Sequence, residues 1–392
     1  MRFPEFSGEW ESNELHKVAS LSKGAGISKD QLSDSGHPCI LYGELYTKYK
    51  SEIIREVYSK TQLDLANLVK SHTNDVIIPC SGEAAIEIAT ARCVLIPDVL
   101  LGGDLNIIRL NGRHDGGFFA YQLNGKRKVD IAKVAQGVSV VHLYGEHLKK
   151  VKVAYPSLEE QQKISSFLAL LDERIATQIK IIEDLKKLKS AISNKLFARK
   201  DLLEKQITIS EIGTLKNGYA FQSSTYNPAG SYKIITIANV SGERYIDIDS
   251  CNCIMRIPED IQTHQVLKQD DILISLTGNV GRVSLCTEGN YLLNQRVGLL
   301  QLNPGVNREY IYQALSCRRY EQTMISCGQG AAQMNIGKGD VEDYTIPYSA
   351  NSLNLEVVAS TLKTYDLLIS VEVDRLRLFM QQKQYLLAQM FI

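Results

Sequence analysis

Few groupings in this sequence could do covalent chemistry. In "HLYGEH", His142, Glu146 and His147 suggest a metal pair with a carboxylate between them. A spacing of five does not put both imidazoles on one helical face, and no third ligand lies nearby, so the segment reads as a turn or surface stretch. Cys251 and Cys253 alternate along an expected strand and share one of its faces. With no partner cluster they read as core or edge thiols, and no four-ligand Cys/His spacing for zinc occurs. "NIGKGD" has a Gly-Lys but lacks the upstream glycine and following Ser/Thr of a phosphate-binding loop, and no G-x-G-x-x-G follows a strand. "YNPAG" at Tyr226 lacks the second proline and the aromatic of an adenine-methyltransferase motif. Asp184-Leu185-Lys186, similar to a nuclease fragment, sits inside a helical pattern and reads as a solvated face. The expectation is a protein that is not an enzyme and carries no metal or cofactor of its own.

Binding chemistry is better represented. "LYGELYTKYKSE" offers Tyr42, Tyr46, Thr47, Lys48 and Tyr49 within a few residues. Lys and Tyr hydroxyls suit phosphates, and Thr methyls can meet base edges. "LNGKRKVD" adds Lys126, Arg127 and Lys128 on an expected turn, either a phosphate clamp or an ordinary solvated turn. In the second half, "TGNVGRVS" places Thr277, Asn279 and Arg282 around two glycines that let a backbone approach a ligand closely. "LNQRVG" supplies Asn294, Gln295 and Arg296, types that make bidentate contacts to adenine or guanine. "GQGAAQMN" adds Gln329, Gln333 and Asn335. Singly these are ordinary loop residues; their recurrence at corresponding places in both halves suggests a reading surface for duplex DNA.

The composition permits this with a condition. The 392 residues carry a formal net charge of zero, whereas a chain that grips a duplex alone usually has a basic surplus. Local patches or partners must then supply the positive charge. Apolar runs such as "CVLIPDVLLGG" are far too short to span a bilayer, and the segment after Met1 has no apolar core of a secretory signal. Eight scattered cysteines in mostly hydrophobic settings point to reduced thiols and a cytoplasmic location.

The elements that must position these residues repeat. Phe197 and Phe391 end two similar helical stretches, and the offset of 194 residues between them aligns one stretch with the other. Leu168, Leu171, Ile175, Ile182, Leu185 and Ile192 then align with Leu362, Tyr365, Ile369, Leu376, Phe379 and Leu386, while Asp172 aligns with Asp366. The apolar positions advance by alternating steps of four and three, the pattern of a coiled-coil seam. Both seams are interrupted at matching places, Gln178 with Glu372 and Lys189 with Lys383. Ahead of the helices, "NDVIIPCSG" resembles "DDILISLTG", and "AQGVSVVHL" matches "GQGAAQMNI". The predicted architecture is α+β: two similar strand-rich mixed domains separated by two long antiparallel helices, related by a pseudo-two-fold internal repeat. The boundaries read as 1–156 for the first domain, 157–205 for the central helix, 206–350 for the second domain and 351–392 for the C-terminal helix. About 40 helical residues make a rod of roughly 60 Å, on which two domains would form a caliper. Gln178 and Glu372 would meet near its middle and fix register. A duplicated coiled-coil scaffold without DNA recognition is the alternative.

Over essentially its full length the chain resembles the specificity subunit of type I restriction–modification systems. "RFPEFSGEW" is similar to the start of such subunits, and "SLEEQQKISSFLALLDERI…LKKLKSAISNKLF" resembles their central helix. "YGELYTKY" and "TGNVGRV…NQRVGLL" are similar to segments of their target-recognition domains. The resemblance implies a non-catalytic subunit whose two recognition domains each read one half of a bipartite site in double-stranded DNA. It implies paired helices that set the spacing between halves and dock two methyltransferase (M) subunits, with restriction (R) subunits joining them. S-adenosylmethionine, ATP and magnesium would belong to those partners. The second helix is less Lys-rich than the first, so the resemblance leaves room for unequal docking. "HDGGFFAYQLNGKRK" has no close echo in "NREYIYQALSCRRYEQ", which implies two half-sites of different sequence.

Overall fold

A computed structural model describes residues 1–137, 140–328 and 334–391. The chain divides into two compact units, Met1–Lys180 with Asp374–Ile392, and Ile181–Val373. The long helices Leu158–Phe197 and Ser352–Gln389 each contribute to both units.

In the first unit, the run Val76-Ile77-Ile78 has no exposed surface, as expected of β-branched residues in a central strand covered on both faces. Its strand, Asp75–Pro79, lies in a five-stranded sheet ordered Ala19–Lys23, Leu105–Leu110, Asp75–Pro79, Arg92–Val94, Ile53–Ile54. Asn74, at φ 77°, makes the left-handed turn into that strand, a conformation that asparagine tolerates better than most residues. The helix Gly116–Asn124 is almost wholly buried, and its Asp115 cap accepts a 2.7 Å hydrogen bond from the Phe118 amide. A second sheet, ordered Leu32–Ser33, Ser59–Thr61, His37–Ile40, Leu100–Leu101, Val69–Lys70, completes the unit.

The second unit repeats this plan. Its sheet runs Gly213–Asn217, Val297–Leu302, Ile272–Ser275, Val283–Leu285, and lacks only a fifth strand. Asp270, at φ 64°, replaces Asn74 in the turn. Asn307 caps the helix Arg308–Leu315 by accepting from the Tyr310 amide at 2.9 Å. The smaller sheet is ordered Asn252–Ile254, Tyr232–Ile235, Tyr291–Leu293.

Each unit holds one stretch of both long helices, and in each the two stretches are antiparallel. In the first, Arg2 binds Glu160 and the Met1 amine donates to Gln389 O, while Asp172 meets Lys383 further along. In the second, Asn354 donates to Leu202 O and Lys189 meets Asp366. The seam residues Leu168, Leu171, Gln178, Ile182, Leu362, Ile369 and Leu386 are buried. Ile175, Leu185, Ile192, Tyr365, Glu372, Leu376 and Phe379 are half-buried. The breaks at Lys189 and Lys383 are not gaps in the seam: each lysine is the cation of an ion pair between the helices.

Candidate nucleic-acid interface

In the second unit, the polar residues singled out in three separate stretches meet at one edge. The turn after strand Ile272–Ser275 needs its glycines. Gly278 and Gly281 have φ of 71° and 77°, and a Cβ on Gly281 would stand 2.6 Å from Met324 Cβ. Buried Leu276 and Val280 anchor the turn, and Asn279 between them is exposed. Backbone hydrogen bonds lace this turn to its neighbours. Leu276 donates to Arg296 O at 3.1 Å, Ile336 to Leu276 O at 2.9 Å, and Gly278 to Met334 O at 3.0 Å. Gln295 donates to Tyr219 O at 2.9 Å, and Asn294 bridges Tyr219 in parallel. Asn279, Gln295, Arg296 and Asn335 thus present exposed side chains around one frame, with half-buried Asn294 beside them.

Two expected contacts are weaker than their residue types imply. Thr277 Oγ1 is buried, because the Thr277 backbone is bridged to Asn335 and its hydroxyl faces inward. Arg282 is partly engaged by Glu321 at 3.7 Å. Gln329 and Gln333 lie outside the described residues.

The first unit repeats the core of this lacing. Cys80 donates to Asp104 O at 2.7 Å, Leu143 to Cys80 O at 2.8 Å, and Ala25 bridges Gly102 in parallel. Different side chains occupy the frame. Where the second unit has Tyr219, Asn294, Gln295 and Arg296, the first has Ala25, Gly102, Gly103 and Asp104. The space left by these small residues is part of a cleft of about 980 Å³, lined also by Ile27, Tyr42, Thr47 and Lys48. Tyr46 donates to Ser81 O at 3.4 Å, which ties the Tyr42–Lys48 stretch to this edge. Lys48 is already engaged, 2.7 Å from Glu44 and 2.6 Å from Ser59 Oγ.

Tyr49 is a correction to the list of DNA contacts. It is 5% exposed and packs in the core with Leu45 and Ile54, its ring stacked on Tyr58 at 5.6 Å. Burial pushes its hydroxyl pKa well up. Lys126, Arg127 and Lys128 sit on the turn between helices Gly116–Asn124 and Lys128–Val134, where Gly125 abuts Leu387. Arg127 there pairs with Asp130 at 3.6 Å. His142, read from the sequence as part of a turn, lies on the first unit's laced edge, paired with Ser81. Among the described residues, no group of three or more His, Cys, Asp or Glu could hold a metal, and no helix is long and apolar enough to cross a membrane.

A family model, the type I restriction modification DNA specificity domain, matches residues 7–187 and again 204–376. The chain belongs to that family. It is a DNA-specificity subunit, and catalysis in such systems is carried by other subunits. The specificity chain is 25% identical to a Methanocaldococcus jannaschii protein named as a type I restriction enzyme MjaX specificity subunit, over 94% of this chain and 89% of the relative. In fold it is similar to the crystal structure of the type I restriction-modification S subunit from M. genitalium. The TM-score is 0.62 at 17% identity, covering 100% of this chain and 99% of that one. A chain from a study of complex assembly and conformational transition of the type I R-M system matches with a TM-score of 0.57 at 15% identity, covering 98% and 97%. The scaffold alternative without DNA recognition is therefore set aside.

In the specificity subunit, each globular part is locked to its helices by a buried charge cluster. In the first unit Lys383 lies 2.5 Å from both Glu52 and Asp172, and Asp172 also accepts from Tyr121 OH at 2.7 Å. Burial, reinforced by Asp172, raises the Glu52 pKa against the pull of Lys383 and Arg92. Burial also works against charge on Asp172. There Lys383 and the Tyr121 hydroxyl prevail and hold the carboxyl below its usual range. In the second unit Lys189 is 2.5 Å from Asp366, and Arg244 reaches Asp366 at 3.2 Å and Glu309 at 2.6 Å. Burial again opposes the charge on Glu309, but its bonds from Arg244 and Gln313 lower its pKa.

Proposed function

We propose that each unit of this specificity subunit reads one half of an interrupted site in double-stranded DNA, and that the two halves differ in sequence. The observation that supports this most is the pair of edges, one backbone frame carrying two unlike sets of side chains. On this reading residues 1–156 and 206–350 are the target-recognition domains. Asn279, Asn294, Gln295, Arg296 and Asn335 face bases, where amide side chains suit adenine and arginine suits guanine. Lys126, Lys128 and the exposed Tyr42 meet phosphates. The helical regions 157–205 and 351–392 set the unspecified gap and dock two methyltransferase subunits, which bring S-adenosylmethionine and most of the positive charge. Restriction subunits add the ATP-dependent work, and the complex acts in the cytoplasm.

Methylation mapping with engineered chains tests the reading. Exchanging residues 1–156 for the corresponding domain of another family member changes one half-site only. Inserting four residues between Ile179 and Lys189 lengthens the gap and leaves both halves intact. A swap that rewrites both halves, or an insertion that leaves the gap unchanged with activity intact, sinks the respective part.

A further inference from the structure

His142 was set aside as a turn residue, yet the fold gives it the position that Asn335 holds in the other unit. After the central strand of each sheet comes a short polar segment, the two-residue strand Ser81–Gly82 in one unit and the Thr277-Gly278 turn in the other. A second segment pairs across it: His142 opposite Ser81, and Asn335 opposite Thr277. The two partners are followed at the same distance by helices Gly145–Leu148 and Lys338–Glu342, then by strands Lys152–Tyr155 and Thr345–Tyr348. The equivalence is therefore one of register and not only of neighbourhood.

The His142 backbone is fixed from both sides. It exchanges two hydrogen bonds with Gln136, at 2.7 and 2.9 Å, and pairs with Ser81 on the other side. Its side chain is exposed, with Nδ1 3.3 Å from Ser81 Oγ, and the half-exposed Tyr144 ring lies alongside at 6.2 Å. In the tautomer whose Nδ1 accepts from the Ser81 hydroxyl, Nε2–H is left free to donate to a ligand. Major-groove acceptors of matching kind are purine N7 and guanine O6.

We infer that His142 is a specificity-determining residue of the first recognition domain, held by Ser81 and flanked by Tyr144, and that it donates to a purine acceptor edge in one half-site. This rests on the reading of the laced edges as DNA-facing. It also explains why the small residues Gly102 and Gly103 need not read bases: the reader on this side comes from the neighbouring segment.

The test uses the full chain assembled with its methyltransferase partner. Binding is measured to the mapped site and to single-base-pair variants of both halves, for wild type, His142→Ala, His142→Gln and Asn335→Ala. His142→Ala is expected to lose about tenfold in affinity for the cognate site, together with discrimination at one base pair of one half. His142→Gln, which keeps a donor, should recover part of the affinity, and Asn335→Ala should blur the opposite half. Uniform weakening on every sequence, as a structural role would give, overturns the inference. So does a sharp first half in His142→Ala while Asn335→Ala degrades the second. A wild-type complex with no sequence preference at all would instead overturn the DNA reading beneath it, and the inference with it.

Discussion

At four matching backbone positions the second unit carries Tyr219, Asn294, Gln295 and Arg296, while the first carries Ala25, Gly102, Gly103 and Asp104. The parallel bridge and the bond from the central strand to the Arg296 or Asp104 carbonyl are nonetheless common to both. A frame built from main-chain groups places no demand on side-chain identity except where two chains nearly touch. Reading can therefore diverge while the fold stays. At the junctions with the long helices the contrast is of charge: one cation, Lys383, serves two carboxylates in the first unit, whereas Lys189 and Arg244 serve two in the second.

The largest expected effect comes from removing that single cation. Lys383→Ala leaves Glu52 and Asp172 side by side in a buried site with no cation in contact, only neutral donors and the more distant Arg92, and breaking such a pair costs about 3–5 kcal/mol. Lys189→Ala leaves Asp366 with Arg244 and with a 2.7 Å bond from Gln313, so the loss should be nearer about 1.5–3 kcal/mol. The protein has one tryptophan, Trp10, packed at 5.6 Å against Phe118 in the first unit, and its fluorescence follows that unit through a denaturant titration. Hydrogen exchange in strand Ile272–Ser275 follows the other. Equal losses, or a larger one for Lys189→Ala, would remove the supposed difference between the junctions.

A smaller effect is expected where the frame does constrain the sequence. A Cβ on Gly24 would lie 2.0 Å from Gly102 O, and one on Gly218 would lie 2.1 Å from Asn294 O. Gly24→Ala and Gly218→Ala should each cost about 1–3 kcal/mol by forcing the laced strands apart. Each should also blur only its own half-site in methylation mapping. Blurring of both halves by either variant would mean that the two frames are not independent.

How far these features were legible in the sequence depends on whether type or assembly defines them. The repeat was legible, because the helix seams and the polar-glycine turns recur at nearly one offset. The second edge was largely legible too: Asn279 and Gln295 are polar residues set between strongly apolar strands. The same reasoning by type included Tyr49, which sits among polar residues in sequence, although the one-turn helix Glu44–Thr47 and the chain after it turn the ring inward. It missed His142, since a lone histidine in a turn carries no signal by type. The match of "AQGVSVVHL" to "GQGAAQMNI" already set His142 against Asn335. Lys189 and Lys383 looked like interruptions because Glu52, Asp172 and Asp366 gather around them only in the folded chain.

The smallest expected effect is a pH dependence of opposite sign at Glu52 and Glu309, one carboxylate in each junction. The Glu52 pKa is raised from an ordinary value of 4.5, so folding favours its protonated form. Its contribution is fully present below the mid-4s and is lost as pH rises through the raised folded value. Glu309 is lowered from the same ordinary value. Its contribution is present above the mid-4s and is lost as pH falls through the folded value. The Glu52 contribution to first-unit stability, followed by Trp10, should therefore decline as pH rises above the mid-4s, and Glu52→Gln should remove that decline from the profile. Glu309→Gln should leave the first unit's profile alone and remove part of the acid-side loss that exchange in strand Ile272–Ser275 records. A Glu52→Gln profile parallel to the wild type would mean that Lys383 keeps both carboxylates charged, making the two junctions electrostatically alike despite their different cations.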